Sequence, residues 1–402
     1  MTQRQTISLD DACEFIIDCL HHTAPIQEDG YPSIRTPNIG KGRLLLDGVN
    51  RVSDETYRIW TQRAIPEPGD LILAREAPAG NVAIIKEGEK VCLGQRTVHL
   101  RPNVKIVDPD FLCYFLLAPP QQGKLLAAET GATAKHVNML DIRRLELSNL
   151  PDLPSQRAAG ELLAAYDDLI ENNRRRMALL EESARLLYRE WFVRMRFPGY
   201  EHTRIVEGVP QGWERVRVDE LGTVLTGKTP STKDADNYGG DIPFVKTPDM
   251  HGNAFVLQSE TYLTEKGAKS QANKFLPPGA LLVSCIGTVG VVSLTSELCQ
   301  FNQQINAVIP GEGFLRYYCY FALKEMKPRL DAIGGGVTMA NVSKGKFESM
   351  DLLRPTTAFL RNFDEFSSPV FNQIKVLGQQ NQKLRAARDL LLPRLMSGEL
   401  AV

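Results

Sequence analysis

Apolar residues along this chain keep two rhythms. In the first, short runs stand directly behind a Pro-Gly pair, as in "DLILA" (70–74) and "ALLVS" (280–284), while "TVHLRP" (97–102) and "INAVIP" (305–310) end on proline. Bounded runs of this length predict buried strands. Between them, "DPDFLCYFLLA" (108–118) and "GFLRYYCYFALKEM" (313–326) predict helices. In the second rhythm, Ala159, Leu163, Tyr166, Ile170, Asn173, Met177, Leu180, Ala184, Leu187 and Trp191 step by alternating fours and threes, the seam of a coiled coil. The same stepping returns near the end of the chain at Val370, Ile374, Leu377, Asn381, Leu384, Arg388, Leu391 and Leu395.

Each seam carries one asparagine, Asn173 and Asn381, a residue that costs stability in such an interface and fixes its register. Pro369 precedes the second seam, so its regular part is expected to start there, with "AFLRNFDEF" (358–366) a separate helical piece. Gly378 should weaken this helix and Pro393 should end or kink it. Two seams of matching length predict an antiparallel pair, and a helix of about 33 residues would be roughly 50 Å long.

The chain is written twice. "PSIRTPNI" (32–39) matches "PFVKTPDM" (243–250), and "PGDLILAREAPAGNVAI" (68–84) matches "PGALLVSCIGTVGVVSL" (278–294). "LGQRTVHLRP" (93–102) then matches "FNQQINAVIP" (301–310), and "GATAKHVNMLDIRRLEL" (131–147) matches "GVTMANVSKGKFESMDL" (336–352), in the same order. Such self-similarity predicts two mixed α/β heads related by an internal pseudo-two-fold repeat, each followed by a long helix. The expected boundaries are 1–153 and 199–355 for the heads, and 154–198 and 356–402 for the helices.

Composition narrows the class. The 402 residues are 43% hydrophobic and 24% charged, ordinary for a soluble chain with more than one core. No apolar run is long enough for a bilayer, and "MTQRQTISLDD" lacks the layout of a signal peptide, so a cytoplasmic protein without a membrane partner is expected. The formal net charge of −1 excludes a protein that coats nucleic acid by bulk charge. Seven scattered cysteines without a Cys-x-x-Cys pair, and histidines such as His21 and His22 without a ligand cluster, suggest neither disulfide framework nor metal site.

"GTVLTGKT" (222–229) matches the phosphate-binding loop pattern and raises the alternative of a phosphate-loop ATPase. That loop needs a helix opening at its lysine, whereas "PSTKDADNYGGD" (230–241) follows, and the equivalent stretch of the first head, "CEFIIDCLHHTAP" (13–25), has neither glycines nor lysine. Methyltransferase, hydrolase and metalloprotease signatures are also missing, which favours a binder over an enzyme. A coiled-coil scaffold with duplicated protein-binding heads is the other alternative.

The entry to the second head, "GVPQGWERVRVDELG" (208–222), the segments "PPGALLVSCIGTVG" (277–290) and "FNQQINAVIP", the first helix "LPSQRAAGELLAAYDDLIENNRRRMALLEESARLLYREWF" (153–192) and the ending "QNQKLRAARDLLLPRLMSGEL" (380–400) together carry a resemblance. Over essentially its full length, the chain resembles the specificity subunit of type I restriction-modification enzymes. One departure is the first head, which opens at "ISLDDACEFI" without the Pro-Gln-Gly-Trp of the second. The resemblance implies two target recognition domains, each reading half of a bipartite site in double-stranded DNA. It implies helices that fix the spacer and dock two methyltransferase subunits, and a separate restriction and translocase subunit. No catalysis and no cofactor are then expected of this chain.

Base reading needs paired donors and acceptors, with Arg or Lys for guanine and Asn or Gln for adenine. In the second head the candidates are Lys228, Thr229 and Lys233 in "TGKTPSTKDADN", and Asn341, Lys344 and Lys346 in "TMANVSKGK", with Thr338 beside them. Lys228 would then meet a phosphate of DNA, or be a plain solvated turn. The first head offers Lys135 and His136, with Thr133 and Asn138. Residues shared by both heads, such as Arg35 with Lys246 and Gln95 with Gln303, should serve scaffold or phosphates. Unshared polar residues, Arg75, Glu76 and Arg96, are the stronger candidates for reading.

Overall fold

The computed structural model describes residues 5–20, 22–131, 135–334 and 341–400. His21, Thr133 and Thr338 lie outside them. The chain forms two compact units, one of Met1–Glu171 with Gln382–Val402 and the other of Asn172–Asn381. Each holds one head and part of both long helices.

In the first unit, five strands, β1 (Cys13–Asp18), β2 (Gly42–Arg43), β3 (Leu71–Ala74), β4 (Val82–Ile84) and β5 (Thr97–Pro102), form a sheet in the order β1-β5-β3-β4-β2. Only the β2–β4 pair is parallel. The central strand β3 is fully buried, which is why its run is apolar without alternation. Helix α1 (Pro109–Leu117), capped by the Asp108 carboxylate on Phe111 N–H at 2.9 Å, packs Phe111 and Phe115 into the same core. A second sheet joins Tyr31–Ile34 to Arg51–Val52 and Cys92–Leu93.

The second unit repeats this plan. Its strands β6 (Gly222–Thr226), β7 (Phe255–Val256), β8 (Leu281–Ser284), β9 (Val292–Thr295) and β10 (Ile305–Pro310) lie in the order β6-β10-β8-β9-β7, again with one parallel pair, β7–β9. A three-stranded sheet of Tyr238–Val245, Tyr262–Leu263 and Gln300–Phe301 completes it. Even the shared Thr-Pro turns match. Asn38 accepts from Arg35 N–H at 3.1 Å in one head, and Asp249 from Lys246 N–H at 2.8 Å in the other.

The first long helix, α2, covers Leu153–Tyr188 and runs on as a π-helical turn at Arg189–Val193. The second, α4, covers Thr357–Met396 without interruption. It passes straight through Pro369, so "AFLRNFDEF" is not a separate piece, and it continues three residues beyond Pro393. Pro369 is exposed, whereas Phe363, Ser367, Phe371 and Ile374 on the inner face are buried. One missing N–H on the wet side does not outweigh that burial. Gly378 has a packing reason, since a Cβ there would lie 2.4 Å from Leu257 Cδ1 of the second head.

The seam residues Leu163, Ile170, Asn173, Ile374, Leu377 and Asn381 are buried, and Tyr166, Met177, Leu180, Leu187, Leu384 and Leu391 are half-buried. In the first unit, Ala159 and Leu163 share a core with Leu395 and Met396, and Arg388 is bonded to the buried Asp167, which also accepts from Tyr114 O–H at 2.7 Å. In the second unit, Asn173 Nδ2 donates to Asn381 Oδ1 at 2.9 Å, while Tyr188 packs on Phe363 at 6.2 Å between ring centroids. The two helices therefore run in opposite directions within that unit. Tyr188 and Phe192 join Trp213, Tyr318, Phe321 and Phe363 of the same unit in an aromatic core. Helix α3 (Arg316–Glu325) supplies two of these rings.

The repeated frame tolerates different fillings. In the first head the buried Asp70 takes a bidentate contact from Arg101 at 2.8 Å and a 2.6 Å contact from His99 Nε2. The matching positions of the second head are Ala280, Ala307 and Ile309. Burial pushes the Asp70 carboxyl up, but the hydrogen bonds from Arg101, His99 and Glu67 N–H outweigh it and hold the group below its ordinary 3.8. Removing one member leaves the others uncompensated, whereas an apolar set of similar volume costs little. We therefore predict that Asp70→Asn destabilises the chain by about 3 kcal/mol, and that the volume-matched triple variant Asp70→Val, His99→Leu, Arg101→Met loses less, both read by chemical denaturation. Because the folded carboxyl is held low, its contribution is present at neutral pH. It is lost as pH falls through the lowered value, so wild type and Asp70→Asn should converge there.

Candidate nucleic-acid interface

One end of the five-stranded sheet carries a polar rim in each head. In the first, Arg75 follows β3, and its N–H donates to the Arg96 carbonyl at 3.1 Å, while its own carbonyl accepts from Val137 N–H at 2.9 Å. Glu76 forms a β-bridge with His136. These bonds bring together three segments that lie far apart in sequence, 75–76, 96 and 135–137. In the second head Cys285 N–H donates to Gln304 O at 2.8 Å, Cys285 O accepts from Val342 N–H at 2.8 Å, and Ile286 bridges Asn341. The backbone frame is the same and the side chains on it differ.

Of the first-head candidates, Arg75 is turned into the structure. Its Nη1 pairs with Asp18 at 2.9 Å, and its side chain is only 14% exposed. Arg96 is 51% exposed, with Nε 3.2 Å from Glu76 Oε1. Lys135 is exposed and His136 half-buried at the bridge, so these residues share one rim. In the second head, Asn341 is exposed at the bridge. Lys344 pairs with Glu348 at 3.2 Å, and Lys346 lies on the same short helix, Lys344–Glu348, which Ser343 caps. Lys233 is exposed in the turn before Ala235–Asn237. Sequence reading passed over Gln304 and Ile286, although the repeat aligns them with Arg96 and Glu76.

The phosphate-loop pattern is folded as something else. Gly222–Thr226 is strand β6, paired residue by residue with β10. A Cβ on Gly227 would come within 2.1 Å of Asn302 O, so this glycine serves a close backbone approach. Lys228 N–H is already given to Phe301 O at 3.1 Å, and the Thr229 hydroxyl is bonded to Gln303. The amides that would cradle a phosphate are thus spent on the sheet. The Lys228 side chain remains exposed. Among the described residues there is no group of three or more His, Cys, Asp or Glu that could hold a metal ion, and no helix long and apolar enough to cross a membrane.

Comparison with known proteins places this geometry. The family model for the type I restriction modification DNA specificity domain matches the chain twice, over residues 22–182 and 210–357. The chain belongs to that family. The HindI specificity subunit of a type I restriction enzyme from Haemophilus influenzae is 26% identical, with 92% of this chain and 95% of the relative covered. The MjaIX specificity subunit from Methanocaldococcus jannaschii is 23% identical over 88% of this chain and 83% of its own length. Among solved structures, the type I restriction-modification S subunit of M. genitalium shares the fold, with a TM-score of 0.59 at 14% identity, covering 98% of this chain and 96% of that one.

For this specificity-domain chain, the two residues of the Gly227-Lys228 pair should behave oppositely. Gly227→Ala is predicted to cost about 2–3 kcal/mol, because backbone rather than a movable side chain meets the new methyl. Lys228→Ala should stay within about 0.5 kcal/mol of wild type. Denaturant titration of both variants checks this.

Proposed function

We propose that this chain is the DNA specificity subunit of a type I restriction-modification assembly, in which each head reads one half of a bipartite site. Residues 1–153 and 199–355 are the two recognition domains in this reading. Helices 154–198 and 356–402 pair as an antiparallel coiled coil that sets the spacer and docks two methyltransferase subunits. A restriction and translocase subunit and the methyltransferases supply the chemistry. The observation that carries the reading is the duplicated backbone frame bearing unlike polar rims, the arrangement expected of two readers built on one scaffold. The two family-domain matches and the names of the relatives support it.

Phosphate contacts in this reading come from exposed cations such as Lys135, Lys228, Lys233, Lys344 and Lys346. With a formal net charge of −1, the chain should hold DNA weakly by itself and gain affinity when partners extend the basic surface. The test is selection from a random duplex library by the chain alone and by its complex with methyltransferase subunits. The complex is expected to enrich a motif of two blocks separated by an unread spacer, with binding that falls steeply as salt rises. Enrichment of no sequence by an assembled complex would favour the protein-binding scaffold instead.

A further inference from the structure

The two rims differ in a chemically specific way. We propose that Arg96 and Glu76 of the first head read a G·C pair, and that Asn341 with Ile286 of the second head reads an A·T pair. This assignment rests on the functional reading above and names the positions that carry its specificity.

Positions that read sequence must be fixed by a constant backbone and must differ between two heads that read different half-sites. Four matched features define the frame: the Arg75–Arg96 and Cys285–Gln304 bonds, the Val137–Arg75 and Val342–Cys285 bonds, the Gly80 N–H to Ala74 O and Gly290 N–H to Ser284 O bonds, both 2.9 Å, and the two β-bridges. On that frame Glu76 corresponds to Ile286, and His136 to Asn341. The positions just inward of them are spent on the interior. Arg75 pairs with Asp18, while the second head puts a chain of Thr226, Asn306 and Cys285 there, with Thr226 Oγ1 to Asn306 Oδ1 at 2.6 Å and Asn306 Nδ2 to Cys285 Sγ at 3.2 Å. Arg75 is thereby set aside as a reader.

Arg96 is held by unusual means. Its φ is +67°, in the left-handed region that non-glycine residues rarely occupy. Such a conformation persists only where the surroundings enforce it, here through the bond from Arg75 N–H to its carbonyl. Glu76 Oε1 lies 3.2 Å from the Arg96 Nε, and the Arg96 side chain is 51% exposed. A half-exposed guanidinium beside a carboxylate is suited to guanine O6 and N7, and that carboxylate to the N4 amine of the paired cytosine. Asn341 offers the amide that pairs with adenine N6 and N7, and Ile286 an apolar contact for the thymine methyl.

The experiment maps methylated adenines left by the complete complex with its methyltransferase subunits, for wild type, Arg96→Asn, Glu76→Gln and Asn341→Ala. Asparagine tolerates positive φ, so Arg96→Asn keeps the turn, and Glu76→Gln is the second variant should it still fail to fold. Arg96→Asn and Glu76→Gln should each lower discrimination roughly ten- to hundredfold at one G·C position in one block. Asn341→Ala should do so at one A·T position in the other block. An unchanged motif, relaxation of the same block by both heads' variants, or uniform weakening at every sequence would overturn the assignment alone. A wild-type complex that leaves no two-block motif would overturn the functional reading and this assignment with it.

Discussion

The hydrogen-bonded turn at the end of the central strand is the constraint on which the rest depends. Arg75 and Cys285 each give their N–H to one segment and their carbonyl to another, and so tie the head's middle to its end. Because both backbone groups are spent in this way, the side chains around the turn are free to vary without loss of the frame. The buried apolar runs of β3 and β8 make the turn rigid from below, with Leu71, Leu73, Leu281 and Val283 all at 1% exposure or less.

The same frame accommodates unlike interiors. A polar set of Asp70, His99 and Arg101 fills one head where the other has alanine and isoleucine, and an ion pair of Arg75 with Asp18 stands where the other has a neutral chain ending on Cys285. In each filling the buried charges stand beside opposite ones or are absent, so neither leaves a bare buried charge. This tolerance lets two copies of one domain drift apart in surface while keeping the strand order of their five- and three-stranded sheets.

Much of this was legible in the sequence. The Pro-Gly turns and short apolar runs marked β3 and β8 because fully buried strands leave a dense apolar signature, and a closing proline marked β5 and β10. The repeat aligns Arg75-Glu76 with Cys285-Ile286, although nothing local in the second head singled out Ile286. What stayed hidden depends on contacts between distant segments. The aromatic core of Tyr188, Phe192, Trp213 and Phe363 is assembled from three separate stretches, and no local pattern announces it. Pro369 was misleading because propensity speaks for an isolated helix, whereas burial of Phe363, Phe371 and Ile374 holds this one through the proline. Two-residue strands such as Arg51–Val52 are too short to show a period. Arg75 stood out by residue type, whereas its pairing with the distant Asp18 could not be read from the sequence.

Two copies of one frame that read DNA separately must be exchangeable one at a time. Exchanging residues 1–150 for the corresponding head of another specificity subunit, and mapping methylated adenines genome-wide with the same methyltransferase partner, tests it most directly. Independent heads give a motif that changes completely in one block and keeps the other block. A motif altered in both blocks, or unaltered in either, would contradict it.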